Sequence, residues 1–357
     1  MIDAIVIGAG QSGLAAARAL ADHHLTPVVL EAGPEPVGSW PRYYDSLTLF
    51  SPARYSTMPG LEFPAEPDRY PHRDDVVDYL RRYAETLGAD IRTNTSVTTV
   101  GAHPDSGFVV DTADGQRLRT AGIVAATGSF GNPHVPDLPG QDRFAGRITH
   151  VADYRRPEDH AGQRVIVVGG GNSAVQVAYE LADHARVTLA THNPINFLPQ
   201  HRDGHDIHHW LVATGFDRLP PEWLIRYVGG TLVMDTGDYQ RAVETGRMDR
   251  RPMFTSFDTE TITWADGTVE SVDTVLFATG YRPDLGYLAE LGALANGYPL
   301  HSAGVSTTHP GLVYVGLEFQ RSFSSNTLRG VHRDAEHAVA ALAAHIKQAP
   351  ALVGLQP

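Results

Sequence analysis

Residues 4–13 read AIVIGAGQSG, and LAAARALADHH follows at 14–24. A short apolar run, a glycine turn and an alanine-rich stretch, in that order, predict strand, turn and helix. In the pattern Gly8-x-Gly10-x-x-Gly13 each glycine has its own task. Gly8 permits the tight turn, Gly10 lets the backbone approach a pyrophosphate, and Gly13 lets helix and strand pack closely. The helix start, with Ser12 on its first turn, faces the phosphates with free N–H groups and the positive end of the helix dipole. The next apolar run, PVVLEA at 27–32, predicts a second strand ending on Glu31. That carboxylate comes about 20 residues on, where it can accept hydrogen bonds from ribose hydroxyls.

The same order recurs in QRVIVVGGGNSAVQVAYELADHARVTLATH at 163–192. It predicts strands at 164–168 and 187–190 around a second loop, Gly169-x-Gly171-x-x-Ala174, with Asn172 and Ser173 opening the helix. Here the second strand ends on Thr191-His192, with no acid. A carboxylate there would bind the 2′-hydroxyl of NAD and repel the 2′-phosphate of NADP, so its absence favours NADPH over NADH. His192, with Arg202 as helper, is a weaker substitute for the guanidinium that usually forks onto the phosphate. The two units lie about 160 residues apart, too long a period for a solenoid. They predict an α/β chain with two Rossmann-like dinucleotide-binding domains. A nucleotide gripped by an acid, then one without, suggests FAD first and a nicotinamide second, the latter delivering hydride to the former.

Bulk properties narrow the class. The chain has 357 residues, 42% hydrophobic, and a formal net charge of −13. That charge repels nucleic acid and anionic membranes, so neither is expected as a partner. With no cysteine, disulfides, iron–sulfur clusters, thiolate zinc and dithiol redox chemistry are excluded. The N-terminus lacks the basic region of a signal peptide, and no run approaches the roughly 18 apolar residues of a membrane span, so a cytoplasmic enzyme is expected. His201, His205 and His208 would share one face of a helix, but Asp203-Gly204 between them reads as a turn. Solvated or hydrogen-bonded histidines are therefore expected there, and no metal site is assigned.

The remaining pattern orders the chain. RDDVVDYLRRYAETLG at 73–88 predicts an amphipathic helix stopped by Gly88, and apolar stretches at 97–100 and 108–111 predict an antiparallel excursion with TADGQ as its turn. Two strands end in "ATG", at 126–128 and 278–280, one after each glycine loop. A polar loop then leads to a long helix expected to begin near Ser324–Asn326. The expected division is an FAD domain from residues 1–155 and 285–357, interrupted by an NAD(P)H domain at 160–284. Residues 193–255, rich in Pro, Gly, His and Trp, read as irregular and suited to cover a substrate.

Between the two loops stands FAGRITHVADY at 144–154. Its Phe144-x-Gly146-x-x-x-His150-x-x-x-Tyr154 matches the identifying motif of the flavin-containing monooxygenases, the class B flavoprotein monooxygenases. The chain resembles that family over nearly its whole length. GSW at 38–40 resembles the family's G-G-x-W, and ATGY at 278–281 matches its second "ATG" element. YDSLTLFSPARYSTMPG at 44–60 is most similar to short bacterial members, including those found with arsenic-resistance genes. The resemblance implies that NADPH reduces FAD and that O₂ adds to give a C4a-(hydro)peroxyflavin. This passes one oxygen to a soft nucleophile, N or S and by extension As or Se, of a small molecule. Baeyer–Villiger relatives, which act on ketones, carry Trp at the motif's last position, so Tyr154 favours heteroatom oxygenation. An NAD(P)H:acceptor flavin reductase is the other alternative. Many longer members have Asn where Phe50 stands, so no catalytic residue is carried over. By position, Trp40, Leu49 and Ser51 would lie beside FAD, with Thr127 and Gly128 lining its side. Thr279 and Gly280 would line the nicotinamide crossing, and Gln320 and Asn326 would flank the start of the last helix. No dyad for acid–base work is found, since the protein's task is a dry pocket and positioning. The motif itself reads as a domain linker: Gly146 bends, Phe144 and Tyr154 anchor, and His150 reaches across the junction. A monomer or homodimer is compatible with this reading.

Overall fold

The computed structural model describes residues 2–223 and 232–348. Strand β1 (Ile2–Ile7) lies between β2 (Pro27–Leu30) and β6 (Arg117–Ala125), parallel to both. Beyond β2 lies β3 (Asp90–Arg92), and beyond β6 lies Leu312–Tyr314, edged by two short strands at 301–302 and 305–306. An apolar strand buried on both faces needs layers on both sides. On one face pack α1 (Gln11–Asp22), α2 (Arg73–Thr86) and the C-terminal helix Val331–Gln348, through Leu14, Leu20, Tyr79, Val339 and Leu342. Burying a side chain such as Leu14, fully enclosed, contributes roughly 1.5–3 kcal/mol. On the other face Ile5, Ile7 and Ile123 meet Val100 and Phe108 of β4 (Val97–Ala102) and β5 (Phe108–Thr112), together with Leu285 and Leu288.

The second sheet has five strands. Its centre, β8 (Arg164–Val168), lies between β9 (Arg186–Thr191) and Thr274–Phe277; Asp249–Pro252 flanks β9, and β7 (Arg147–His150) flanks Thr274–Phe277. All pairings are parallel. Helix α3 (Asn172–Leu181) packs Val175, Val177, Ala178 and Leu181 on one face. The other face is built by Phe254, Phe257, Ile262, Trp264 and Phe144. Every strand of this sheet falls in sequence between β6 and Leu312–Tyr314 of the first, so one nucleotide-type fold is inserted in another.

Several expectations are corrected. Residues 147–150, inside the expected linker, form an edge strand of the second sheet, so the expected division at 155 falls after a strand of that sheet rather than before it. An edge strand needs only one apolar partner row, which is why a run too polar for a core strand still pairs. The TADGQ turn joins β5 to β6 rather than β4 to β5. The last helix starts at Val331, not near Ser324–Asn326; residues 324–330 close instead as successive turns, Thr327 N–H to Ser324 O and Gly330 N–H to Thr327 O. The stretch 193–255 is more regular than expected. It holds a parallel pair, Asn196–Pro199 with Leu232–Asp235, helix α4 (Ile207–Ala213), helix Asp238–Glu244 and the strand Asp249–Pro252. Its residues 224–231, and the tail ALVGLQP, lie outside the described residues.

Candidate functional site

Both glycine loops are built alike. Gly8 N–H donates to Leu30 O (2.8 Å) and Ala126 N–H to Ile7 O (2.9 Å); Gly169 N–H donates to Ala190 O (3.1 Å) and Ala278 N–H to Val168 O (2.8 Å). Gly8 (φ +99°) and Gly169 (φ +139°) each sit so close to the "ATG" alanine that a Cβ would lie 2.8 Å from Ala126 O or 2.4 Å from Ala278 O. Each loop thus occupies the carboxyl end of its sheet where strand order reverses, the place where open α/β sheets bind ligands. At Gly13 a Cβ would fall 1.8 Å from Gly8 O, so only glycine fits. The second loop is wider there and holds the fully buried Ala174. At Gly10 a Cβ would meet only Gly38 Cα, at 3.6 Å; the protein itself has room for it.

Neither α1 nor α3 has a side-chain cap. Three other helices differ: His72 and Asp75 cap α2, Asp206 caps α4, and the Asp235 carboxylate takes N–H groups of Gly237, Tyr239 and Gln240 at the helix from Asp238. Uncapped N–H groups at a glycine loop are a ready anion site. The residues therefore fit the phosphates of two dinucleotides.

Around the first loop, Glu31 is buried directly after β2. Its carboxylate accepts Ala9 N–H (2.6 Å) and Gly33 N–H (2.8 Å), which fixes its position and leaves lone pairs over. Trp40 Nε1 donates to Gln11 Oε1 (2.8 Å), and Gln11 Nε2 to Asn326 O (3.2 Å), so Trp40 and Asn326 are brought to the α1 start by Gln11, which no sequence motif singles out. Ser12 Oγ lies against Gly316, and Leu49 and Trp40 both pack against the first sheet's helix-side core. Two residues turn elsewhere. Ser51 hydrogen-bonds Ser56 (2.9 Å), and Gln320 spends both ends of its amide on Tyr314 O and Leu317 N–H. Around the second loop, Asn172 Oδ1 accepts Met234 N–H (2.9 Å), Ser173 is half-buried beside it, and His192 is exposed at the end of β9.

The connection between the sheets is made by the segments that follow the two "ATG" elements. Thr127 Oγ1 donates to Asp284 O (2.6 Å), Thr279 Oγ1 donates to His134 O, and Gly128 O accepts Asp284 N–H (2.9 Å). His134 N–H donates to Gly280 O (3.0 Å), and Arg282 N–H to Asn132 O (2.9 Å). The outward and return crossings thus run antiparallel and bonded to each other, and the linker role expected of FAGRITHVADY belongs to them. Gly146 is needed for space rather than for a bend: a Cβ there would strike the Phe144 ring at 2.5 Å and Asp273 O at 2.8 Å. Phe144 anchors on Phe257 inside the second sheet's own core.

The other end of the motif does reach the junction. Tyr154 donates to Glu180 on α3, whose second oxygen accepts Ser46, and Tyr44 donates to Gln176 (2.6 Å). Residues 44–46, from the first sheet's long connection, are clipped to α3 in this way. His150 closes a ladder of rings, Trp40–Tyr43–Phe130–Tyr281–His150, with successive centroids 5.5, 4.4, 5.2 and 5.0 Å apart. His150 Nδ1 accepts Ala152 N–H (3.1 Å), while the buried Nε2 has no hydrogen-bond partner among the described residues. Burial holds this imidazole below its ordinary pKa.

The histidines of residues 201–209 part company. His205 and His209 stack on each other (4.2 Å), and His201 meets Tyr70. His208 is wholly buried between Phe50 and Tyr55, with Nδ1 2.7 Å from Asp206. Burial would raise the Asp206 carboxyl, but hydrogen bonds from His208, Tyr70 and Gln200 hold it down at about 2. Beyond α4, the buried Asp217 takes Arg329 (2.9 and 3.1 Å) from the segment leading into the C-terminal helix and Arg333 (3.1 Å) from the first turn of that helix. Residues 200–217 therefore lie over the first sheet's loops and are pinned there by ion pairs. Sequence gave no sign of this, since each pair spans more than 100 residues. A missed residue also stands at the second loop. Arg250, on the strand beside β9, places Nε 2.8 Å from Thr191 Oγ1. Arg202, expected as the helper of His192 at the end of β9, instead pairs with Asp203 on an exposed hairpin.

Comparison with known proteins agrees with this geometry. The family model for pyridine nucleotide-disulphide oxidoreductases matches residues 5–217. Indole-3-pyruvate monooxygenase YUCCA1 of Oryza sativa is 31% identical, over 82% of this chain and 80% of that protein. An uncharacterized CzcO-like oxidoreductase of Geobacillus kaustophilus is 29% identical, over 95% and 97%. The solved flavin-containing monooxygenase from Stenotrophomonas maltophilia superposes with a TM-score of 0.84 at 31% identity, covering 96% of this chain and 98% of its own. With no cysteine, the chain has the shared nucleotide-binding architecture without a dithiol. It belongs to the pyridine nucleotide-disulphide oxidoreductase family and, within it, to the short flavin-containing monooxygenases of the bacterial type, as a flavin-dependent oxidoreductase that works with a pyridine nucleotide.

Proposed function

We infer that the enzyme uses NADPH and O₂ to place one oxygen on a nitrogen or sulfur nucleophile of a small molecule, arsenic or selenium being the extension. The observation carrying this reading is the repeated loop with a difference at the strand that follows it: Glu31 comes directly after that strand in the first unit, and Thr191-His192 in the second. A carboxylate suits FAD ribose hydroxyls; a neutral strand end suits a 2′-phosphate. Bound flavin supplies oxygen activation, and the nicotinamide supplies the hydride. The chain's own residues bind and orient. Gly8, Gly10, Ser12 and Gly13 hold the first pyrophosphate on the α1 start, with Trp40, Leu49 and Asn326 flanking the flavin. Gly169, Gly171, Asn172 and Ser173 hold the second on α3, with Thr279 and Gly280 at the crossing. Residues 200–217, pinned by Asp217, exclude water from above.

The test is NADPH consumption with product mass analysis over thioethers, amines, ketones and arsenite. Sulfoxides or N-oxides are expected. Esters from cyclic ketones would instead assign Baeyer–Villiger chemistry, and NADPH oxidation that no substrate stimulates would assign a flavin reductase.

A further inference from the structure

The second glycine loop, the end of β9 and one arginine form a continuous surface. Gly170 packs on Thr191, its would-be Cβ 3.7 Å from the threonine methyl. Thr191 is buried, and its Oγ1 accepts Arg250 Nε at 2.8 Å while donating to Asn193 O at 2.7 Å. The neighbouring strand delivers this arginine by register: Arg250 lies opposite Leu189, and Pro252 opposite Thr191. Alternation sends the next residue, Arg251, to the other face, where it stacks on Trp264 (4.2 Å) and pairs with Asp266 (2.8 Å). Arg251 is thus accounted for. Arg250 is half-buried, is held by one nitrogen, and has no carboxylate partner within 4.0 Å among the described residues. Its remaining N–H groups form an undocked fork at the place where the 2′-substituent of an adenosine ribose lies in a nucleotide-binding βαβ unit.

We propose that Arg250, supplied from the strand beside β9 rather than from the end of β9 itself, reads the 2′-phosphate of NADPH, with Thr191 Oγ1 aiming the guanidinium and His192 at the rim. This rests on the NADPH reading above and names the residue that makes the choice. No proton or electron moves in this step; it is recognition of a dianion by a planar cation.

The test uses the FAD-loaded protein and two fragments, 2′,5′-ADP and 5′-ADP, titrated calorimetrically at fixed salt. The wild-type protein should prefer 2′,5′-ADP. Arg250→Gln should weaken 2′,5′-ADP on the order of ten- to hundredfold, the value of a charge-assisted hydrogen-bond pair, and leave 5′-ADP within about twofold. Arg250→Lys, which keeps the charge but loses the fork, should fall between. If the wild-type preference is present and Arg250→Gln retains it, or if both fragments weaken equally, this assignment is overturned while the NADPH reading stands. If the wild-type protein shows no preference, the NADPH reading fails and takes this one with it.

Discussion

Gly10→Ala separates a glycine kept for the fold from one kept for a ligand. The backbone at Gly10 has φ −73°, ordinary for any residue. A Cβ there meets a single atom, Gly38 Cα, at 3.6 Å, which is normal contact. Two small terms act on the protein without cofactor: alanine is a poorer N-cap than glycine, and it lowers the entropy of the unfolded chain. They oppose each other, so stability should change by less than about 1 kcal/mol. The methyl group would instead stand between the α1 start and the pyrophosphate, lengthening one or two N–H to phosphate hydrogen bonds. Losing them lowers flavin affinity on the order of ten- to thousandfold. Gly13→Ala is the contrast. Its Cβ would lie 1.8 Å from Gly8 O, a backbone atom, so the atoms must separate by about 1.2 Å to regain even 3.0 Å. That should cost roughly 1–3 kcal/mol of stability as well as the flavin. The assay is flavin-to-protein absorbance after purification, with thermal unfolding of the flavin-free forms. A Gly10→Ala protein with stoichiometric flavin would refute the reasoning, as would a loss of apo stability equal to that of Gly13→Ala.

The other predictions concern the pinned cover and the buried histidines. Asp217→Ala should cost about 3–5 kcal/mol in chemical denaturation, because it leaves the buried Arg329 without its counterion; a loss under about 1 kcal/mol would show that the pair is solvated. Burial lowers the imidazole pKa of both His150 and His208, so the unfolded chain takes up protons first as pH falls through about 6.5. Their neutral burial therefore contributes full stability above that pH and loses it below. Denaturation midpoints should fall from pH 8 to pH 5.5, and His208→Asn should flatten the slope; an unchanged slope would discount His208. Glu180→Ala removes the acceptor shared by Tyr154 and Ser46. It should raise the protease sensitivity of residues 43–47, with little change in flavin content, and limited proteolysis followed by mass spectrometry would detect this.

What could be read in the sequence was whatever the backbone itself demands. A Gly8 carbonyl that stands 1.8 Å from where a Cβ of residue 13 would lie, or a loop at φ +99°, leaves one residue type available, so glycine spacing announces both nucleotide loops and the strands feeding them. Glu31 was legible for a related reason, since it follows a strand at a fixed distance from that loop. The junction was not legible. Tyr44 finds Gln176, Ser46 finds Glu180 and Thr127 finds Asp284 across more than 130 residues, and no local pattern encodes such partners. Arg250 shows the same limit: RMDRRP at 247–252 displays two adjacent arginines, and only the register of Asp249–Pro252 on β9 decides which one faces the glycine loop.

FAGRITHVADY reads in sequence as a domain linker because its residue types are shared by linkers, turns and edge strands. The structure divides it instead. Its phenylalanine half belongs to the second sheet's core, and its tyrosine half to the clip on α3. A strand end so fixed presents His150 to Tyr281 just after the second "ATG" element, one ring ladder away from Trp40 beside the start of α1. Hydride transfer requires two nucleotides from separate sheets to meet within about 3–3.5 Å. Tolerances of that size favour bonded crossings and stacked rings over a flexible linker.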